Sequence, residues 1–246
     1  MKAFTLVLIA FLLIGCQNSE THDEGTEDHG AEGHDDAAED HNGEHEWVSL
    51  FDGESFKHWR GYAQEEMPAG WVIDEGAMYA SEPGHGMDIV SRDTYTSFEF
   101  ELEWKVLEGG NSGIMWHVDE SAGDYPWMTG PEYQILDDDN AMNDGAVNKN
   151  SAASNYDVHS PSEDASTEPG DWHSTRIVVD GNHVEHWLNG VKVVEYEKGS
   201  ADWAEKVAGS KWADMESYGS TSTGRIAFQG DHGAVWFRNL RIRSLD

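Results

Sequence analysis

The sequence predicts an all-β domain, an antiparallel sandwich or jelly roll, on three observations. Runs of apolar–polar alternation recur through the second half of the chain. Dipeptides that favour tight hairpin turns sit between those runs, and only one short stretch has helical character.

Taken in chain order, the first element is not part of that fold. Lys2 precedes an apolar run from Ala3 to Ile14, patterned as a secretory signal and too short to cross a bilayer. It leads into Leu13-Ile14-Gly15-Cys16, the pattern of a bacterial lipoprotein signal cut before Cys16, whose thiol then carries the lipid. Cys16 is the single cysteine of the chain, so it forms no intramolecular disulfide, and lipidation accounts for it better than redox chemistry. The expectation is an exported lipoprotein on the outer membrane or facing the periplasm, tied to the membrane through Cys16. An acidic stretch soon after the cysteine also suits routing to the cell surface.

Residues 17–46 are acidic and histidine-rich and hold no large aliphatic residue. With so little apolar surface to bury, they read as a disordered tether. Its five histidines (His22, His29, His34, His41, His45) offer metal ligands, but a solvated spacer is the better reading. From Trp47 aromatics appear, and residues 47–246 are long enough for one domain with a real core. The net charge of −33 makes nucleic acid and anionic membrane surfaces poor partners.

Within that domain, Trp71–Ala80, Asp88–Ser91, Gly113–Val118 and Glu132–Leu136 read as strands, and FEFELEW (98–104) alternates without a break. The segment 137–170, rich in Asp, Asn, Ser and Pro, is too long for a simple connection, which marks it as functional or mobile. RIVVDGNHVEHWLNGVKVVEYE (176–197) holds three strands joined at Asp180-Gly181-Asn182 and Asn189-Gly190, pairs that take the φ > 0 values of hairpin turns. ADWAEKVAGSKWADM (201–215) is the helical candidate, interrupted by Gly209. GRIAFQGDHGAVWFRNLRIRSL (224–245) reads as a last hairpin, turning near Gly230 to Gly233.

Five phrases stand in order along 47–246: WVSLFDGESFKHW, GGNSGI (109–114), GPEYQILDD (130–138), VEHWLNG (184–190) and FQGDHGAVWFRNLRIRSL. Together they resemble the 3-keto-disaccharide hydrolase family. The resemblance implies a concanavalin-like jelly roll of two antiparallel sheets. It also implies cleavage of 3-keto-glycosides, by net hydrolysis or by elimination to a glycal that is later hydrated. One departure is visible: where the family commonly shows an arginine after NSGI, this chain runs Ile114-Met115-Trp116-His117.

The candidate site follows from the same strands. Along Glu132–Leu136, Tyr133 and Ile135 share one face, Glu132 and Gln134 the other. A carboxylate beside an amide on a strand face suits a ligand cleft. A 3-keto group acidifies the proton at C2, so the chemistry needs a base there, donors for the enolate oxygen and an acid for the leaving group at C1. Glu132 is the candidate base or metal ligand and Gln134 a substrate contact. His232, in the turn GDHG, is the candidate proton shuttle or metal ligand. Asn111 and Ser112 suit either sugar hydroxyls or turn backbone. His117 takes the position of the family arginine, and Arg238 is either a cleft arginine or the partner of a carboxylate. Asp137 could support His232 or join Glu132 and His232 around one divalent ion that polarises the keto oxygen. Within 47–246 no His-x-x-x-His or cysteine pair marks a zinc site; the one such spacing, His41 to His45, falls in the tether. His159 and His186 read as solvated and half-buried, respectively.

Two alternatives come from different classes. Glu99, Glu101 and Glu103 superficially match the carboxylate cluster of a conventional glycoside hydrolase. Yet Phe98, Phe100, Leu102 and Trp104 fill the opposite face, which makes a solvent-facing row the simpler reading. A non-catalytic carbohydrate-binding lipoprotein is the other, with tryptophans as stacking platforms.

Overall fold

The structure, a computed structural model, describes residues 46–81, 87–138 and 146–246. The signal segment, Cys16 and all but the last residue of the tether lie outside the described residues.

Thirteen strands form the described domain: β1 (Val48–Ser49), β2 (Trp59–Gly61), β3 (Trp71–Asp74), β4 (Ala77–Ala80), β5 (Ile89–Ser91), β6 (Phe98–Val106), β7 (Asn111–Val118), β8 (Glu132–Leu136), β9 (His173–Asp180), β10 (His183–Leu188), β11 (Val191–Glu197), β12 (Arg225–Phe228) and β13 (Val235–Ser244). A larger sheet runs β11-β10-β9-β6-β13-β4-β3, with β1 added on β13, and a smaller one runs β2-β5-β12-β7-β8. All pairings are antiparallel. This is the two-sheet jelly-roll sandwich that the alternation predicts.

The core lies between the sheets, because each strand sends every second side chain inward. From the larger sheet come Phe98, Phe100, Leu102, Trp104 and Phe237; from the smaller come Trp59, Ile114, Trp116, Tyr133 and Phe228. Phe228 stacks on Phe237 at 4.2 Å across the layers. A buried polar chain also crosses them: Trp104 Nε1 donates to Thr175 Oγ1 (2.9 Å), and the Thr175 hydroxyl donates to Tyr133 Oη (2.7 Å).

Trp71–Ala80 folds as the hairpin β3–β4, and the stretch 176–197 as three hairpin-linked strands. The helical candidate is one short helix, α1 (Ala201–Ala208), whose N-cap Ser200 accepts a hydrogen bond from Trp203 N and which ends at Gly209. One expectation is corrected. The stretch 224–245 is not a hairpin: β12 pairs in the smaller sheet and β13 in the larger, so Gly230–Gly233 carries the chain from one layer to the other. Turn residues set only a local reversal; the sheet that receives the next strand depends on partners far away in sequence.

Candidate active site

The outer face of the smaller sheet carries a recess of about 360 Å³. Glu132 and Gln134 of β8 and Asn111 of β7 form its floor, because they alternate with the core-facing Tyr133, Ile135 and Ile114. Gly113, opposite Gln134 in the ladder, makes room for the acid: a Cβ built there would lie 2.2 Å from Glu132 Oε1. The Gln134 amide, turned so that its nitrogen faces acceptors, donates to Ser112 O and to Glu132 Oε1, each at 3.2 Å.

Two loops build the walls. Described residues of the long 137–170 segment pair with the free side of β8: Tyr156 N donates to Glu132 O (3.0 Å), and Ala153 N to Gln134 O (2.8 Å). The turn after α1 then brings Lys211 and Trp212 over Tyr156. Lys211 N donates to Asp157 Oδ2 (2.7 Å), and Trp212 Nε1 to Tyr156 O (3.3 Å), which fastens one loop to the other. The Lys211 ammonium lies 3.9 Å from the Tyr156 ring centroid and 4.3 Å from that of Trp212. Trp127, beside Trp212 at 5.8 Å, closes the aromatic side. Gln229 and His232, from the layer-crossing segment, complete the lining, and His232 Nδ1 contacts Asp231 Oδ1.

Electrostatics single out Glu132. Its residue is 5 % exposed, and burial pushes the carboxyl up to about 8; the Lys211 cation opposes that shift, and the Asp88 and Asp231 charges add to it. Burial depresses Lys211 in turn, against the pull of Glu132. Asp88, which accepts from Gly230 N (3.3 Å), is itself raised to about 6, first by burial and then by Asp231. A carboxyl held in this range accepts and returns protons near neutral pH. His232 is half-exposed at the lining of the recess.

Glu132, Gln134, Asn111 and His232 thus share one recess, as the sequence suggests. Four other candidates lie elsewhere. Ser112 points into the core side of β7 and its hydroxyl donates to Gln229 O (2.7 Å). His117, next to last in β7, has φ 53°; its Nε2 meets Thr96 O (2.8 Å), and burial with the nearby Lys198 charge lowers it to about 4. Arg238 lies on the larger sheet, bonded to Glu103 (2.5 Å) and stacked on Trp172 (3.8 Å). A bulge at Asn239, φ 56°, puts it on the face opposite Leu240 and Ile242. Asp137 is buried beside the 109–110 turn and accepts from Gly109 N (2.7 Å). Ligand atoms of Glu132, Asp137 and His232 are not gathered at metal-binding spacing. The acid–histidine group that has such spacing among the described residues is His183, Glu185 and Glu195 on β10–β11, where Lys192 already bonds Glu185 (3.0 Å) and Glu195 (2.8 Å).

The long-loop histidine and its neighbour also differ from expectation. His159 is buried and stacked on Tyr196 at 4.4 Å, and His186 is fully buried with Nδ1 against Ala153 O (2.8 Å). The recess residues that the sequence did not single out are Lys211, Trp212, Met215, Tyr156, Trp127 and Gln229.

Comparison with known proteins agrees with this fold. Residues 46–243 match the model of the 3-keto-alpha-glucoside-1,2-lyase-like domain. A 3-keto-disaccharide hydrolase of Bacteroides thetaiotaomicron is 32% identical over 230 residues, covering 81% of this chain and 79% of that protein. The crystal structure of a provisionally named glycosyl hydrolase from Parabacteroides distasonis superposes with TM-score 0.73 at 32% identity, covering 81% of this chain and 94% of the other. A galectin-like protein of Bacillus subtilis, 13% identical with TM-score 0.50 over 81% of this chain and 94% of its own, shares the fold.

Proposed function

The chain belongs to the 3-keto-alpha-glucoside-1,2-lyase-like family and is a glycoside-cleaving hydrolase or lyase, and on that premise we propose that it cleaves 3-keto-disaccharides or 3-keto-glucosides through the carbon at C2. Glu132 takes the C2 proton, and the C–H electron pair moves into an enolate held by the oxidised C3 oxygen. Collapse of the enolate breaks the C1–O bond, and the departing aglycone oxygen takes a proton from His232. The product is a 3-keto-glycal, or, after water adds across its double bond, the free 3-keto sugar.

The observation that carries this reading is the state of Glu132: a buried carboxyl, raised in pKa, opening onto a recess that a histidine also lines. Lys211 supplies the positive charge that favours the carboxylate and then the enolate. Trp127 and Tyr156 suit the apolar face of a sugar ring, and Asn111, Gln134 and Gln229 its hydroxyls.

The test is NMR of the protein with a 3-keto-glucoside in D₂O, beside the parent glucoside, with and without a chelator. The proposal expects cleavage of the keto sugar alone, with deuterium entering C2 or a glycal resonance. Cleavage of the parent glucoside would overturn it, and loss of turnover with chelator would add a divalent ion on the keto oxygen. Export as a Cys16-anchored lipoprotein is part of the same proposal; radiolabelled palmitate should enter the native chain and not Cys16→Ala.

A further inference from the structure

The outer face of the larger sheet holds a second cleft, of about 690 Å³, on the opposite layer of the sandwich from Glu132. Its long side is a row of side chains that crosses five strands in register: Trp187 opposite Arg176, Arg176 opposite Glu101, Glu101 opposite Arg241, and Arg241 opposite Ser49. Four strand spacings make this row roughly 19 Å long. The next row along β6 and β9, Glu103 and the small Ser174, forms the other side. Asn239 sits at the bulge of β13, where the ladder slips between Arg238 and Arg241 and the sheet surface opens.

The lining is charged in parts and neutral in sum. Arg241 Nε bonds Glu101 (2.8 Å), Arg238 Nε bonds Glu103 (2.5 Å), and Arg176 Nε lies 2.5 Å from Glu99 Oε1. Ion pairing fixes these planar groups in place and leaves unused lone pairs and N–H groups facing the cleft. Groups already held in one geometry lose little entropy when they bind. Trp187 is pinned by its indole N–H on Glu185 (2.8 Å) and gives a half-buried apolar plate at one end. A paired lining in a chain of net charge −33 repels polyanions and has no excess of cation to attract them. Vicinal hydroxyls match planar donors and acceptors, and the C–H faces of sugar rings match an indole.

We propose that this cleft is a second carbohydrate site, which binds an uncharged oligosaccharide along the Trp187–Ser49 row and holds the protein on a glycan while Glu132 works on the other face. The proposal does not depend on which sugar is cleaved.

The test is calorimetric titration of the purified full chain with maltohexaose, cellohexaose, laminarihexaose and xylohexaose, with hexagalacturonate as the anionic control. One or more of the neutral chains should bind. Trp187→Ala should weaken that binding roughly tenfold or more, and Ser174→Leu, an exposed position that fills the floor without touching the core, should weaken it as well. Glu132→Gln should leave it unchanged. Failure of all four neutral sugars to bind would overturn the site, as would preference for hexagalacturonate, or loss of binding in Glu132→Gln in place of the cleft variants. A dimer in solution that Ser174→Leu dissociates would also overturn it, by assigning the face to a second copy of the chain.

Discussion

Strands β6 and β8 both carry carboxylates on the outer face of their sheet, and they hold them in opposite ways. On β6, Glu99, Glu101 and Glu103 each meet an arginine across the ladder: Arg243 and Arg176, Arg241, and Arg238. On β8, Glu132 has an amide and a lysine ammonium near it and sits under two loops. The first arrangement spends the charge on cross-strand pairing. The second leaves the carboxyl short of solvation, so that it holds its proton more tightly than a solvated carboxyl does and gives it up only near neutral pH and above. A carboxylate row is therefore a poor guide to chemistry until the partners on neighbouring strands are known.

The contrast can be broken in four ways. The largest effect belongs to Glu132→Gln, expected to lower turnover of a 3-keto-glucoside by ~10²–10⁴-fold, while Glu101→Gln leaves steady-state rates within a factor of about two. Equal losses in both would erase the distinction. Next comes Gly113→Ala. Its methyl would meet the Glu132 carboxyl, and a displacement of that size can cost up to ~10²-fold in kcat, with circular dichroism unchanged.

A smaller effect is expected in the pH profile. If Glu132 acts as the base, the rate rises with pH as the carboxyl loses its proton. Lys211→Met removes the charge that holds this pKa down, so the rising limb should move to higher pH; an unmoved limb would mean that another group sets it. The last is a matter of stability. Glu132 is raised on folding, so the unfolded chain releases its proton first, and the group costs stability as pH climbs from 4.5, the ordinary value, towards about 8. Glu132→Gln should therefore raise Tm over the native chain at pH 8 and much less at pH 5. Glu101→Gln, on a half-exposed pair, should change stability by at most ~1 kcal/mol at either pH.

Much of this was legible in the residues. Alternation alone separates Glu132 and Gln134 from Tyr133 and Ile135, and Asn-Gly and Asp-Gly pairs place the hairpins of 176–197. The same alternation also puts Ser112 with Ile114 and Trp116, on the core side. What could not be read is what depends on partners far along the chain. Lys211 and Trp212 reach Glu132 only because the turn after α1 docks on residues 156 and 157. The bulge that turns Arg238 away from Leu240 rests on one asparagine with positive φ, a residue type that tolerates this conformation but does not announce it. Gly230–Gly233 looks the same whether the next strand returns to its own sheet or leaves for the other.

The loop that walls the recess has one more consequence. β8 is the last strand of its sheet, and without residues 153–156 its outer N–H and C=O groups would stand open as a template for another chain. Tyr133, Gln134 and Ile135 make that edge attractive to such pairing. The segment that brings Tyr156 to the recess thus also covers that edge, and a protease nick within it is expected to promote self-association.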